Sequence, residues 1–241
     1  FLAHRLGWVM SQTIYAYISD GGIQEEISQG AGRIAGHLGL DNLIMYYDAN
    51  NIQLSTTVEE VDSEDVAAKY KAWGWHVIEI DGCCPEAIRK ALREAKATVG
   101  QPTLIIGKTI MGRGAVGPNG ENYENRVNTH SQPLSAAGAS IEATIKNLGG
   151  DPEAPFQIFP DVQELYAARL QELRELAKAR KQEEKTWREE NPDRAGKLDR
   201  WFAGEAPAVD WKSIEQKPNQ ATRAASATVL SALAEQVENM I

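Results

Sequence analysis

Four short apolar runs lie at residues 13–18 (TIYAYI), 42–47 (NLIMYY), 76–80 (HVIEI) and 103–107 (TLIIG), separated by stretches whose apolar residues repeat with the period of a helix. Strands that read as near-continuous apolar runs are buried on both faces, and such strands pair in parallel through helical crossovers. The intervening stretches fit that role. Residues 24–38 place Ile27, Ala31, Ile34 and Leu38 on one face; 62–74 run through Val66, Tyr70 and Trp73 behind a capping Asp62 or Ser63; 85–97 open with a proline in the first turn and direct Ile88, Leu92 and Ala95 inward. The alternation predicts an α/β fold, a doubly wound, mostly parallel sheet with helices on both faces.

After Lys108 the pattern changes. Residues 111–133 hold six glycines and prolines and no periodicity, and a loop of that length inside a compact fold is usually functional or disordered. A short helix is expected at 136–148. A long charged helix is expected at 161–190, its narrow stripe (Leu165, Ala168, Leu173, Leu176, Ala177) reading as solvated linker surface. Residues 203–220 read as linker and 221–241 as an amphipathic helix. The expected organisation is a partial domain over 1–150, a helical linker over 151–220 and the first helix of a second domain over 221–241. The first residue is Phe, and the chain reads as if cut from something longer.

The residues that carry chemistry stand at two strand ends, Ser19-Asp20-Gly21-Gly22 and Asp48-Ala49-Asn50-Asn51. In a doubly wound sheet ligands bind at the carboxyl ends of strands, so neighbouring strands would project Asp20 and Asn50 into one crevice. One carboxylate and one amide oxygen suit Mg²⁺, which fills its remaining positions with water and phosphate oxygens. Gly21 allows backbone to approach a phosphate, and a helix starting near residue 23 would aim free N–H groups there. An Asp-Gly after a strand is by itself usually a turn; the Asn-Asn that follows after 28 intervening residues points instead to a diphosphate held through Mg²⁺.

That spacing resembles the signature of thiamine diphosphate enzymes. The stretches SDGGIQEEISQGAGRIAGHLGLDNLIMYYDANNIQLS, YKAWGWHVIEIDG, PTLIIGKTIMGRG and THSQPLSAAG resemble the transketolase family in order and spacing, over essentially the whole chain. The resemblance implies an enzyme that uses thiamine diphosphate and Mg²⁺ to move a two-carbon ketol unit from a ketose phosphate to an aldose phosphate, in the pentose phosphate pathway, as a cytoplasmic homodimer. It implies Asp20 and Asn50 as metal ligands through their side chains and Ile52 through its carbonyl. Gly21 and Asn50 would meet the cofactor, His130 both cofactor and substrate, and Glu25 the dimer interface that links two active sites. It also implies that the glutamate protonating the aminopyrimidine ring lies in the following domain, so the 241 residues alone are expected to be inactive. His4, His37 and His76 have no motif support and read as structural or surface residues.

The chain departs from the family pattern at four positions: Ser19 and Ser131 stand where glycine is usual, Gly30 where a second acidic residue often follows, and Val127 where another histidine is common. Two other readings compete. A related enzyme such as a deoxyxylulose-phosphate synthase is disfavoured by GKTIMGRG and THSQPL; a non-catalytic or split subunit would bind Mg-diphosphate without turnover. Composition adds exclusions. With 25 Lys and Arg against 34 Asp and Glu the net charge is −9, unsuited to general nucleic-acid binding. No run of apolar residues is long enough to span a bilayer. Cys83 and Cys84 are adjacent, a spacing that rarely bridges and cannot complete a zinc site, which fits a reducing cytoplasm.

Overall fold

A computed structural model describes residues 12–238 and residue 240; His4 and two residues of the expected C-terminal helix, 239 and 241, lie outside them. The described residues fall into two compact units, one ending at Phe159 and the other starting at Pro160.

The first unit is built on four parallel strands, β1 (Ile14–Ser19), β2 (Leu43–Ala49), β3 (His76–Asp81) and β4 (Thr103–Lys108), in the order β1-β2-β4-β3. The helices are α1 (Asp20–Gln24), α2 (Glu26–His37), α3 (Val66–Ala72), α4 (Pro85–Ala97) and α5 (Ile141–Asn147). From β1 to β2 to β3 the chain moves one way across the sheet, and from β3 to β4 it moves back. Crossovers between parallel strands are right-handed, so the first two connections must cover one face and the third the other. The core follows that rule. Ile23, Ala35, Tyr70 and Trp75 pack with Met45, Tyr47, Leu104 and Ile106 on one face, and Ala91 and Ala95 of α4 pack with Ile44 and Ile105 on the other.

Two of the helices expected between the strands, 24–38 and 62–74, differ in the structure. The stretch 24–38 is not one helix: it breaks at Glu25, whose ψ of 132° is extended, into α1 and α2. Its expected inward face is also reversed. Ile27 is 83% exposed and Ile34 58%, while Gly32 and Ala35 are buried. The cause is close backbone approach. The Trp75 indole N–H donates to the Gly32 carbonyl at 2.7 Å, and a Cβ on Gly36 would stand 1.9 Å from the Trp73 carbonyl oxygen. The glycines make the contact face, and the large apolar residues are left outside. The second difference is the start of α3, capped by Asp65 through the Ala68 N–H at 2.9 Å, whereas Asp62 accepts from the Glu64 N–H in its own turn.

The glycine-rich loop holds a 3-10 turn at Val127–Thr129 and a bridge between Val116 and Asn122. The Gly114 N–H donates to Glu124 at 2.7 Å, and Arg126 lies 4.0 Å over the Tyr123 ring. α5 begins later than expected, because Gly138 is in the left-handed region (φ 94°) and Ser140 provides the cap.

In the second unit α6 (Pro160–Glu190) buries none of its residues, as its charged sequence suggests. α7 (Pro192–Phe202), not anticipated from sequence, follows a break at Asn191; Arg188 ties the two together by an ion pair with Asp199 at 2.8 Å. α8 (Thr222–Gln236) is shorter than 221–241 and buries no residue. Among the described residues no helix is long and apolar enough to cross a membrane.

Candidate cofactor and metal site

β1 and β2 are neighbours, and their register sets Ser19 beside Asp48, so the residues that follow each strand emerge at one sheet edge. Asp20 is the first residue of α1, which therefore starts three residues earlier than the sequence suggested and makes a single turn. Ser19 before it has φ −104° and ψ 176°, extended backbone that any residue adopts, so the usual glycine is not required there.

Asp20 is 2% exposed. The Tyr47 hydroxyl donates to its Oδ1 at 2.6 Å and the Asn50 N–H to its Oδ2 at 3.1 Å. Burial raises the Asp20 carboxyl above the ordinary carboxylate range, and these donors with the Asn51 N–H only partly offset the shift. No cation pairs with it among the described residues. A charged oxygen pair held in the interior by neutral donors alone is costly unless a positive ion joins it.

The Asn50 side-chain oxygen accepts the Ile52 N–H at 3.0 Å, closing a turn over Asn51, whose φ of 65° is left-handed. Asparagine tolerates that conformation, which gives the second Asn of the pair a backbone role. Ile52 is 4% exposed and bridges to Thr57, so its peptide group is fixed. Asp20, Asn50 and Ile52 all line one cavity of about 690 Å³.

The cavity has further walls that the sequence reading missed. β4 runs beside β2 with Lys108 opposite Ala49, which brings Lys108 and Thr109 into it, and Asn125 enters from the glycine-rich loop. The GKT tripeptide at a strand end was the available signal, legible once β4 is placed next to β2. Asp48, by strand alternation, points away from Asp20. The Tyr17 and Thr109 hydroxyls donate to it, and the bond to Asp48, with burial, pushes the Tyr17 phenol up to about 12.

The other expected residues lie around this centre or apart from it. Gly21 is exposed, and a Cβ there would meet nothing within 4 Å. Glu25 is exposed at the α1–α2 break. His130 does not line the cavity; it is half-buried, with Nδ1 2.9 Å from the Ser131 hydroxyl, and Ser131 takes a left-handed φ of 57° where glycine is usual.

Among the described residues no group of three or more His, Cys, Asp or Glu side chains could hold a metal. An ion bound at Asp20 would therefore draw on amide, carbonyl, water and phosphate oxygens, a donor set that suits Mg²⁺. The residues present fit that ion.

Residues 7–207 match the family described as transketolase, thiamine diphosphate binding domain. The chain belongs to the transketolase family. It is 34% identical to Transketolase 2 of Xanthobacter flavus over 97% of this chain and 34% of that protein. It is 33% identical to the chloroplastic Transketolase-1 of Arabidopsis thaliana over 97% of this chain and 31% of that protein. Among solved structures it is similar to the transketolase of Leishmania mexicana, with a TM-score of 0.80 and 28% identity over 98% of this chain and 35% of that one. It is also similar to the Pichia stipitis transketolase in complex with sedoheptulose 7-phosphate, with a TM-score of 0.74 and 30% identity over 92% of this chain and 33% of that one. The chain thus spans about a third of the length of the curated transketolases it matches, and these structures share its α/β fold.

Proposed function

We propose that this chain provides the diphosphate- and Mg²⁺-binding part of a thiamine diphosphate-dependent transketolase, which transfers a two-carbon ketol unit from a ketose phosphate to an aldose phosphate. One observation carries the reading: Asp20 is a buried carboxylate with only neutral donors, in a cavity shared with Asn50 and Lys108. In this reading the Asp20 carboxylate, the Asn50 amide oxygen and the Ile52 carbonyl hold Mg²⁺. The Gly21 backbone faces the diphosphate, and Lys108 offsets its charge. Thiamine diphosphate, when bound, supplies the electron sink for breaking and remaking the carbon–carbon bond. The protein's share is to hold it and exclude water. His130 donates a hydrogen bond to cofactor and substrate oxygens from the loop that also carries Asn125, and Glu25 serves the contact between the two subunits of a cytoplasmic homodimer. The partners are sugar phosphates, with neither nucleic acid nor membrane among them.

The test is calorimetric titration of thiamine diphosphate into the full-length protein with and without Mg²⁺. Wild type should bind in a Mg²⁺-dependent manner and Asp20→Ala should not. Equal affinity in the two proteins would remove the site assignment.

A further inference from the structure

Two consecutive tyrosines on β2 do different work. The Tyr46 hydroxyl lies against the sheet's other face, where a Cβ on Gly107 would stand 1.9 Å from it. Tyr47 faces the opposite way. The residue is 6% exposed and packs in the core with Met45, Tyr70 and Ile106, and its hydroxyl ends on Asp20 Oδ1 at 2.6 Å. Burying a hydroxyl is unfavourable unless it finds a partner. The partner of this one is the Asp20 carboxylate; a phenylalanine would serve the packing equally well, so the oxygen requires another explanation.

The carrier of Asp20 supplies it. α1 is a single turn, its N-cap Ser19 makes no side-chain capping bond, and Gly21 and Gly22 follow at once. A segment of that kind does little to orient a side chain. β2, by contrast, is paired on both sides, to β1 and to β4. A ring has two torsions and is locked here by packing, so its hydroxyl is a fixed point. The carboxylate is held between that point and the Asn50 N–H, one donor to each oxygen.

We infer that Tyr47 is a positioning residue of the metal centre: its hydroxyl transfers the rigidity of a central strand to Asp20 and holds the carboxylate in the orientation that receives the cation. The inference rests on the function proposed above and deepens it. Hydrogen-bond partners of metal ligands commonly govern metal affinity in this way.

The experiment uses the full-length protein with Tyr47→Phe, which keeps the ring and removes the hydroxyl. Mg²⁺ affinity is measured calorimetrically at saturating thiamine diphosphate, and bound Mn²⁺ is examined by electron paramagnetic resonance. The expected result is a loss of Mg²⁺ affinity of about 10–100-fold, altered Mn²⁺ line widths, and a thermal midpoint for the metal-free protein close to wild type. Replacing Tyr47 with para-aminophenylalanine, which restores a donor on the same ring, should recover most of the affinity. Wild-type affinity and an unchanged Mn²⁺ spectrum in Tyr47→Phe would overturn the inference, as would a loss of affinity that the amino analogue fails to restore. Wild-type protein that binds thiamine diphosphate without any Mg²⁺ dependence would instead overturn the functional reading beneath it.

Discussion

Asp20 brings a carboxyl into the interior with no counter-charge paired to it among the described residues, and the two demands on that residue conflict. Its folded carboxyl titrates above the unfolded one, chiefly through burial. Its contribution to stability is therefore full below the unfolded value, near pH 3.9, and is lost as pH rises through the higher folded value. In metal-free protein at neutral pH this side chain therefore weakens the fold. Asp20→Asn removes the charge, and the Tyr47 hydroxyl can turn to accept from the new amide while the amide oxygen takes the Asn50 N–H. Metal-free Asp20→Asn should thus melt above wild type at pH 7, with the gap closing toward about pH 4. With Mg²⁺ and thiamine diphosphate present the order should reverse, since only wild type gains from binding. Scanning calorimetry across pH with both proteins checks this. At this scale the Asp20…Asn50 pair was legible because each follows a strand at a known spacing. Tyr47 and Lys108 were not, because their place in the site depends on side-chain alternation and strand order, which a linear reading does not fix.

Among the elements α2 is the informative failure. Its apolar repeat was read correctly as helical, yet the face carrying Ile27 and Ile34 is exposed and the glycine face is buried. Periodicity reports that a helix has an apolar side; it does not report whether a neighbouring backbone comes too close for side chains. Two substitutions in the helix separate these effects. Gly36→Ala places a methyl 1.9 Å from the Trp73 carbonyl oxygen and should cost about 1–3 kcal/mol through overpacking. Gly30→Ala, with nothing within 4 Å of its new Cβ, should gain about 0.5–1 kcal/mol from helix propensity. Urea unfolding of the two variants beside wild type measures both, and a similar cost at the two sites would mean that the close approach does not set the helix face. α7 escaped the sequence reading for a plainer reason: the expected helix stops at 190 and the expected linker starts at 203, with nothing assigned between them, although Pro192 is the first residue of a helix.

Over the whole molecule, the strand-and-helix alternation gave the α/β class because only a parallel sheet accommodates it, while the glycine-rich loop remained opaque because its order comes from scattered backbone bonds such as Asn125 N–H to the Met111 carbonyl at 2.9 Å. The chain covers about a third of its relatives' length, and the proposed activity belongs to the longer protein. The 241 residues alone should convert no xylulose 5-phosphate and ribose 5-phosphate in a coupled assay in which the full-length protein does; turnover by the isolated chain would refute this. The strand order has a further consequence, for assembly in time. Of the four described strands β4 is made last, and it sits between two older ones. During synthesis β2 and β3 must therefore wait one strand apart, each with an inner edge of unpaired peptide groups, until residues 103–108 arrive to fill the gap. Lys108 joins the cavity wall in the same event, so the part of the pocket bounded by β2 and β4 forms only when that strand slides into place, and Asn125 follows from the later loop. A nascent chain stalled before residue 103 would hold an open slot in its sheet, the kind of surface that chaperones bind and that other strands invade.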